Sequence, residues 1–535
     1  MKGMARRSPV SKWAAFLVVS AIVLALAPWA ARQSGGPRGI AGSGGEPAPL
    51  VLPRFDEGVL SALSRITEQV RDPSFGASTC GPYLQQLVSE TRKLSPREIR
   101  DSDLQDRPQV LVEALWELQL ALHSRIPALE GSCQRELRDA FRLVRFLIDY
   151  LGERAGKIAP VDPSTVNFKK IPIPILQQAP QYGLLTADGT GRVAFEPGDL
   201  MVARGVSYLS ALISRIGSME SQFSHIVFVD RDPETRRTRT IESYVGEGVR
   251  FFGIETALRN ENPRLLLLRS RDPALAERAA RFMRDRVSAA LAAGKPIPYD
   301  YRFDFEDHSA LSCAEVATQA YQEASAGGMI LPTFRSLIDT RPDFLERFDL
   351  RNGATFEPGD MEIDPHFDLV AEFRDLSLTR DSRTKDVILS SLLRWVKDED
   401  YVLVDTLTSK FAGNVIWPAR RTWLWPLVRV VFGVQDFSKE VPRGIFRGFA
   451  LLNQVSGSML KELRRRDAEF EKKTGWAMTY VDLSQELESM RKQDLEIYIN
   501  PETRHRSRIH FALRPRGLKV RPVPPLESPR QRGNR

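Results

Sequence analysis

The sequence predicts an α+β protein in which an antiparallel sheet packs on helices, with helical regions flanking it at both ends. Three observations carry this. Apolar residues recur at helical spacing over residues 55–157 and again after residue 375. Between these stretches, short β-branched or leucine-rich runs alternate with turn signals. The length, 535 residues, exceeds what one hydrophobic core sustains, so two or three domains follow.

At the N-terminus, Lys2, Arg6, Arg7 and Lys12 precede an uncharged apolar run from Trp13 to Ala31. Residues 1–34 read as a signal anchor or a signal peptide. The run is close to the roughly 20 residues that span a bilayer. Pro28 follows Ala25-Leu26-Ala27 where it disfavours cleavage, so an uncleaved anchor with the positive flank inside is the favoured reading. Residues 35–54, rich in Gly, Pro and Ala, read as a linker. Over 55–157, Val59, Leu63, Ile66 and Val70 form one apolar stripe, and Leu137, Phe141, Val144, Ile148 and Leu151 form another. With Val110–Leu122 between them, these predict a small helical bundle without chemistry of its own. Residues 158–190 read as a connector.

From Gly191 to Asp375 the pattern changes. Leu200-Met201-Val202, Ile226–Val229, Thr240–Val245 and Arg264–Arg269 read as strands. Asp272-Pro273 supplies an N-cap and a first-turn proline for a long helix that Gly294 ends. Another helix starts near Ser312 or Cys313, with Val316, Ala317, Ala320 and Tyr321 on one face. The pentapeptide Phe-Glu-Pro-Gly-Asp occurs at 195–199 and 356–360, and Pro-Gly predicts a type II turn at each. Residues 376–500 read as mostly helical. Within them, Val415–Val434 carries Trp417, Trp423 and Trp425 among arginines and two prolines. It is too interrupted to span a membrane, which leaves packing on the core or resting at an interface.

The net charge of +8 is unevenly placed. Residues 503–535 hold ten Lys and Arg against one acid, Glu527, so the basic character belongs to residues 501–535. These read as a disordered, solvated tail with an anionic polymer or lipid as a possible partner. His505 and His510 are expected to face solvent there. Of three cysteines, Cys80 and Cys133 share the N-terminal region and could pair in an oxidising compartment, or both stay free. Cys313 is the odd one.

Three short stretches carry chemistry. Ser224-His225 stands at the mouth of a hydrophobic strand, Glu242 lies on the next strand, and Cys313 opens an amphipathic helix. A thiol at a helix N-terminus sits at the positive end of the dipole, which favours thiolate. A histidine held by a sheet edge can act as base and then acid. Glu242 could accept from the second ring nitrogen and fix the tautomer. Taken singly, a buried cysteine is a small hydrophobe and a strand histidine is structural. Taken in order, Gly198-Asp199-Leu200, Ser224-His225, Glu242, Tyr299-Asp300 and Cys313-Ala314-Glu315 resemble the YiiX/YebB type of permuted papain-like enzymes, relatives of the NlpC-type wall hydrolases.

The order is the specific part of that resemblance. Ordinary papain-like enzymes carry Cys before His, whereas here His225 precedes Cys313 by 88 residues. The resemblance covers residues 191–375, about 185 of the 535. Leu311-Ser312 stands where an aromatic residue often precedes the cysteine, and Ala314 where a serine is usual, departures that bear on substrate preference.

The resemblance implies a circularly permuted papain-like (NlpC-like) domain and a hydrolase acting at an amide, ester or thioester carbonyl. Cys313, His225 and Glu242 would be catalytic, with no metal and no organic cofactor. Together with the N-terminal segment, it points to the cell envelope, anchored in the inner membrane with a periplasmic bulk, or secreted to the periplasm after cleavage. The expected substrate is a wall-derived peptide or a lipid-linked compound. Two rivals stand beside this reading: a non-catalytic envelope scaffold with a degenerate module, and a lipid acyltransferase using the same pair. The histidines show no zinc-ligand spacing, and no Walker loop, dinucleotide fingerprint or Gly-x-Ser-x-Gly occurs.

Overall fold

The computed structural model describes residues 58–93, 108–129, 131–158, 175–177, 184–259, 262–423, 425 and 441–520. The expected anchor, linker and most of the connector lie outside these, as do 426–440 and 521–535. The architecture is α+β, built on one seven-stranded antiparallel sheet.

Four helices come first: α1 (Val59–Arg71), α2 (Cys80–Lys93), α3 (Pro108–Arg125) and α4 (Gln134–Ile158). Their apolar stripes meet in a common core that includes Leu63, Ile66, Leu84, Leu115, Phe141 and Ile148. A disulfide joins Cys80 to Cys133, with their Cα atoms 6.1 Å apart.

The sheet strands are β1 (Leu185–Thr186), β2 (Leu200–Arg204), β3 (His225–Arg231), β4 (Thr238–Tyr244), β5 (Gly248–Gly253), β6 (Arg264–Ser270) and β7 (Phe367–Arg374). Their spatial order is β1-β7-β6-β2-β3-β4-β5. The first strand falls within the expected connector, so that segment supplies a sheet edge as well as a link.

A short helix, α5 (Tyr208–Ile213), follows β2. One sheet face buries Leu200, Val202, Ile226, Phe228, Leu266 and Leu268 against α6 (Pro273–Ala292) and α7 (Cys313–Ala324). The other face buries Met201, Val227, Val229, Leu265 and Leu267. Burial on both faces is why Leu265–Leu268 reads as an unbroken apolar run and not an alternating one. Asp272 caps α6 by accepting from the Leu275 N–H at 2.9 Å, with Pro273 in the first turn.

Buried ion pairs tie the bundle to the sheet. Arg145 on α4 donates to Glu372 on β7 at 2.7 Å, and Glu372 also accepts from Gln119 on α3 at 2.6 Å. Asp149 on α4 accepts from Arg264 at 3.0 Å and from Arg374 at 2.9 Å. Each of these buried charges faces an opposite one, which offsets the cost of desolvation.

The two Phe-Glu-Pro-Gly-Asp copies differ in backbone. Gly198 takes φ +87°, and a Cβ there would meet the Ala276 carbonyl oxygen at 2.6 Å, so the first copy turns as expected. The second does not: Pro358–Ile363 continue as a 3-10 helix, carrying the apolar Met361 and Ile363 into the core. What the copies share is the aspartate. Asp199 and Asp360 each accept the backbone N–H of the glutamate three residues earlier, at 2.9 and 3.0 Å.

The C-terminal region is built on α8 (Leu376–Asp398), α9 (Arg443–Thr474) and α10 (Tyr480–Ile499). Trp417 donates to the Val441 carbonyl at 2.8 Å, and buried Arg420 lies 4.9 Å from the Phe446 ring on α9. The described part of the tryptophan-rich stretch therefore docks on this helix, although Trp423 is exposed.

The expected disordered tail requires a correction. Residues 501–520 are folded, and Leu513–Pro515 pairs with Tyr401–Leu403. His510 is fully buried, held by Asp494 at 2.8 Å and Tyr401 at 3.2 Å. The basic count drew attention away from Ile509, Ala512 and Leu513, which enter the core and pull the backbone in with them.

Candidate active site

Ser312 caps α7. Its side chain accepts from the Glu315 N–H at 3.4 Å, while Glu315 accepts from the Ser312 N–H at 2.7 Å, a reciprocal box that pins the helix start. Cys313 is therefore the first helical residue, where its own N–H has no intrahelical acceptor. The approach to it is stapled to the sheet. Leu311 donates to the Pro298 carbonyl at 2.9 Å, and Ser243 on β4 donates to the Leu311 carbonyl at 2.6 Å.

His225 is the first residue of β3 and pairs with Ala203 on β2. Ser224 donates to the Ala203 carbonyl at 2.8 Å, fixing the backbone just before it. The imidazole is 19% exposed, which leaves an edge for substrate.

Glu242, on β4, is completely buried and has three donors. His225 Nε2 lies at 2.9 Å and the Tyr244 hydroxyl at 2.8 Å from Oε2, while the Thr240 hydroxyl lies at 2.6 Å from Oε1. Tyr244 also stacks on the His225 ring, centroids 5.1 Å apart. Burial works to raise Glu242, but the bonds from His225, Thr240 and Tyr244 outweigh it and hold the carboxyl below its usual range.

Cys313 acts on the same imidazole, whose protonation feels its sulfur as well as Glu242. Nε2 is committed to Glu242, which leaves Nδ1 for the thiol. Burial penalises the charged ring, yet the sulfur and the carboxylate together raise His225 to about 10. The ring is therefore held as an imidazolium against the Glu242 carboxylate.

The structure brings Cys313, His225 and Glu242 together. It adds groups the sequence reading did not assign. Thr240 and Tyr244 stand two residues either side of Glu242, so strand alternation puts all three on one face. That spacing could have found them. Tyr299 is buried and interacts electrostatically with Cys313. Glu315, pushed up to about 7 chiefly by burial, keeps Oε1 buried without a partner.

Among the described residues, no group of three or more His, Cys, Asp and Glu could hold a metal ion. Nor is any helix there long and apolar enough to cross a membrane. Comparison with protein-family models, with curated proteins and with solved structures found no match.

Proposed function

We propose that the chain is a cysteine hydrolase with a circularly permuted papain-like fold, acting at an amide, ester or thioester carbonyl through Cys313, His225 and Glu242. One observation carries the reading: a single imidazole acts together with a thiol at a helix start and is hydrogen-bonded to a buried, triply bonded carboxylate. A cysteine kept for packing needs neither partner.

In the first half-reaction the Cys313 sulfur attacks the carbonyl carbon, forming the S–C bond as the C=O pair moves to oxygen. The Cys313 N–H, directed out of the helix start, donates to that oxyanion. Collapse breaks the bond to the amine, alcohol or thiol, and His225 delivers its proton to the leaving group. In the second half, His225 takes a proton from water, the hydroxyl adds to the thioester, and the sulfur departs. A carboxylic acid is released and the pair is restored. Glu242 keeps the ring oriented through both halves.

The Cys80–Cys133 disulfide supports export to an oxidising compartment, since such bonds are rare where thiols are kept reduced. An envelope location, with a wall-derived or lipid-linked substrate, suits that setting. Alkylation of the folded protein with iodoacetamide, mapped by mass spectrometry, tests the pair. Cys313 should react at neutral pH, and His225→Ala should slow it about 100-fold or more. An inert Cys313, or a rate indifferent to His225, removes the proposal.

A further inference from the structure

The described part of the tryptophan-rich region turns an apolar face to solvent that no step above uses. Its helical segment runs as an α-turn (Leu407–Phe411), a π-turn (Ala412–Ile416) and a final α-turn (Trp417–Ala419). Ser409, Ala412, Gly413 and Ile416 are buried, and Ala412 and Ile416 share a core with Ile445, Phe446 and Phe449 of α9. With one side packed, the outward side of a surface helix is ordinarily polar. Here Leu407, Phe411 and Val415 follow one another every four residues and are exposed, Leu407 at 88%. Just beyond them Trp423 is 87% exposed. Four of the ten large apolar side chains left exposed among the described residues therefore fall within Leu407–Trp423, which makes a patch and not a scatter.

Charge around the patch has one sign. From Thr406 to Trp425 the sequence holds three basic residues, Lys410, Arg420 and Arg421, and no acid. Lys410 and Arg421 are exposed beside the apolar stripe. Arg443, also exposed, adds a third cation at the rim, its Nε donating to the Gly413 carbonyl at 3.0 Å. Asp405, the acid just before the segment, is engaged by Arg447 at 2.6 Å.

We propose that this face docks on an anionic phospholipid surface. Leu407, Phe411, Val415 and Trp423 enter the headgroup boundary, and Lys410, Arg421 and Arg443 meet lipid phosphates. The inference does not depend on the hydrolase reading. An apolar stripe flanked by Lys and Arg, with an exposed indole, suits the plane of the interface, where the helix lies without spanning. A second copy of the chain would set this basic face against itself, and an uncharged bilayer would leave the cations without counter-charge.

The test uses the purified full chain and hydrogen–deuterium exchange, read by mass spectrometry over residues 407–423. Exchange is followed without vesicles, with phosphatidylcholine vesicles, and with vesicles of equal phosphatidylcholine and phosphatidylglycerol. The anionic vesicles should slow exchange about tenfold, and the neutral ones should leave it near the free rate. Leu407→Ser with Trp423→Ser should abolish the slowing, and Lys410→Gln should reduce it about fivefold. All three positions are exposed, so the melting temperature should not move. Because the readout is confined to this segment, attachment to the vesicle through residues 1–34 does not produce it.

Exchange that is the same in all three conditions overturns the proposal, as does slowing that persists in the double variant. Equal slowing by both kinds of vesicle overturns the anionic assignment. Protection without vesicles that grows with protein concentration gives the face to a second copy and also overturns it.

Discussion

Replacing Glu242 by glutamine removes one negative charge from a buried site while keeping the side chain's size. In the wild-type protein, His225 is raised to about 10 against the penalty of burial, with Cys313 and Glu242 supplying the opposing pull. The bond from His225 Nε2 to Glu242 is charge-assisted, 2.9 Å long and shielded by a fully buried carboxylate. Hydrogen bonds to charged groups contribute about 1.5–3 kcal/mol. At about 1.4 kcal/mol per pH unit, Glu242→Gln should lower the imidazole midpoint by about 1–2 units, to about 8–9.

The same loss in orienting the ring should reduce kcat/KM about 10- to 150-fold at neutral pH. Nitrogen-15 NMR of the imidazole, assigned by comparison with His225→Gln, reads the midpoint directly. The folded value lies above the unfolded one, so the ring's contribution to stability is complete below about 6.5 and lost as pH rises through about 10. The melting temperature of the wild type should therefore fall towards that of His225→Gln across that window. A wild-type midpoint near 6.5, or one that Glu242→Gln leaves in place, refutes the arrangement of charges described here.

Other outcomes follow from particular contacts. Tyr244→Phe removes one of three donors to Glu242 and the hydroxyl of the ring stacked on His225, and should lower kcat/KM about 3- to 10-fold with KM little changed. Replacing Cys80 and Cys133 by alanine opens a loop of 53 residues and should cost about 4 kcal/mol in denaturant unfolding. A stability unchanged beyond error would mean the bundle does not depend on that link. Asp494 is held at about 2 by the bonds that anchor His510, so its stabilisation is present above about pH 4 and lost as pH falls towards 2. Asp494→Asn should speed amide exchange of residues 507–515 and flatten that acid transition. Arg145→Met strands two buried carboxylates, Glu362 and Glu372, and should destabilise by about 3–5 kcal/mol, measured by urea unfolding.

Local signals accounted for much of what was legible. The Asp272-Pro273 cap, the Ser312–Glu315 box and the unbroken run Leu265–Leu268 are read within a few residues of one another. Each reflects backbone geometry that repeats every two or every 3.6 residues. The candidate pair was legible for the same reason: Cys313 is marked by its helix start and His225 by its strand mouth.

The charge count misled at the C-terminus, where Asp494 and the apolar neighbours of His510 folded a segment that composition assigned to solvent. The repeated pentapeptide misled at its second copy, because the residues that follow, and not Pro-Gly itself, decide whether the chain turns or winds on.

By itself, the sequence determined the order of helices and strands, the α+β class and which residues could carry chemistry, because those depend on neighbours in the chain. Only the tertiary structure decided that Arg145 joins bundle to sheet. It alone formed an apolar cavity next to Tyr299 from residues as distant as Leu209 and Phe449. Such features depend on contacts across hundreds of residues, where packing complementarity and desolvation select the partners and no spacing along the chain records the choice.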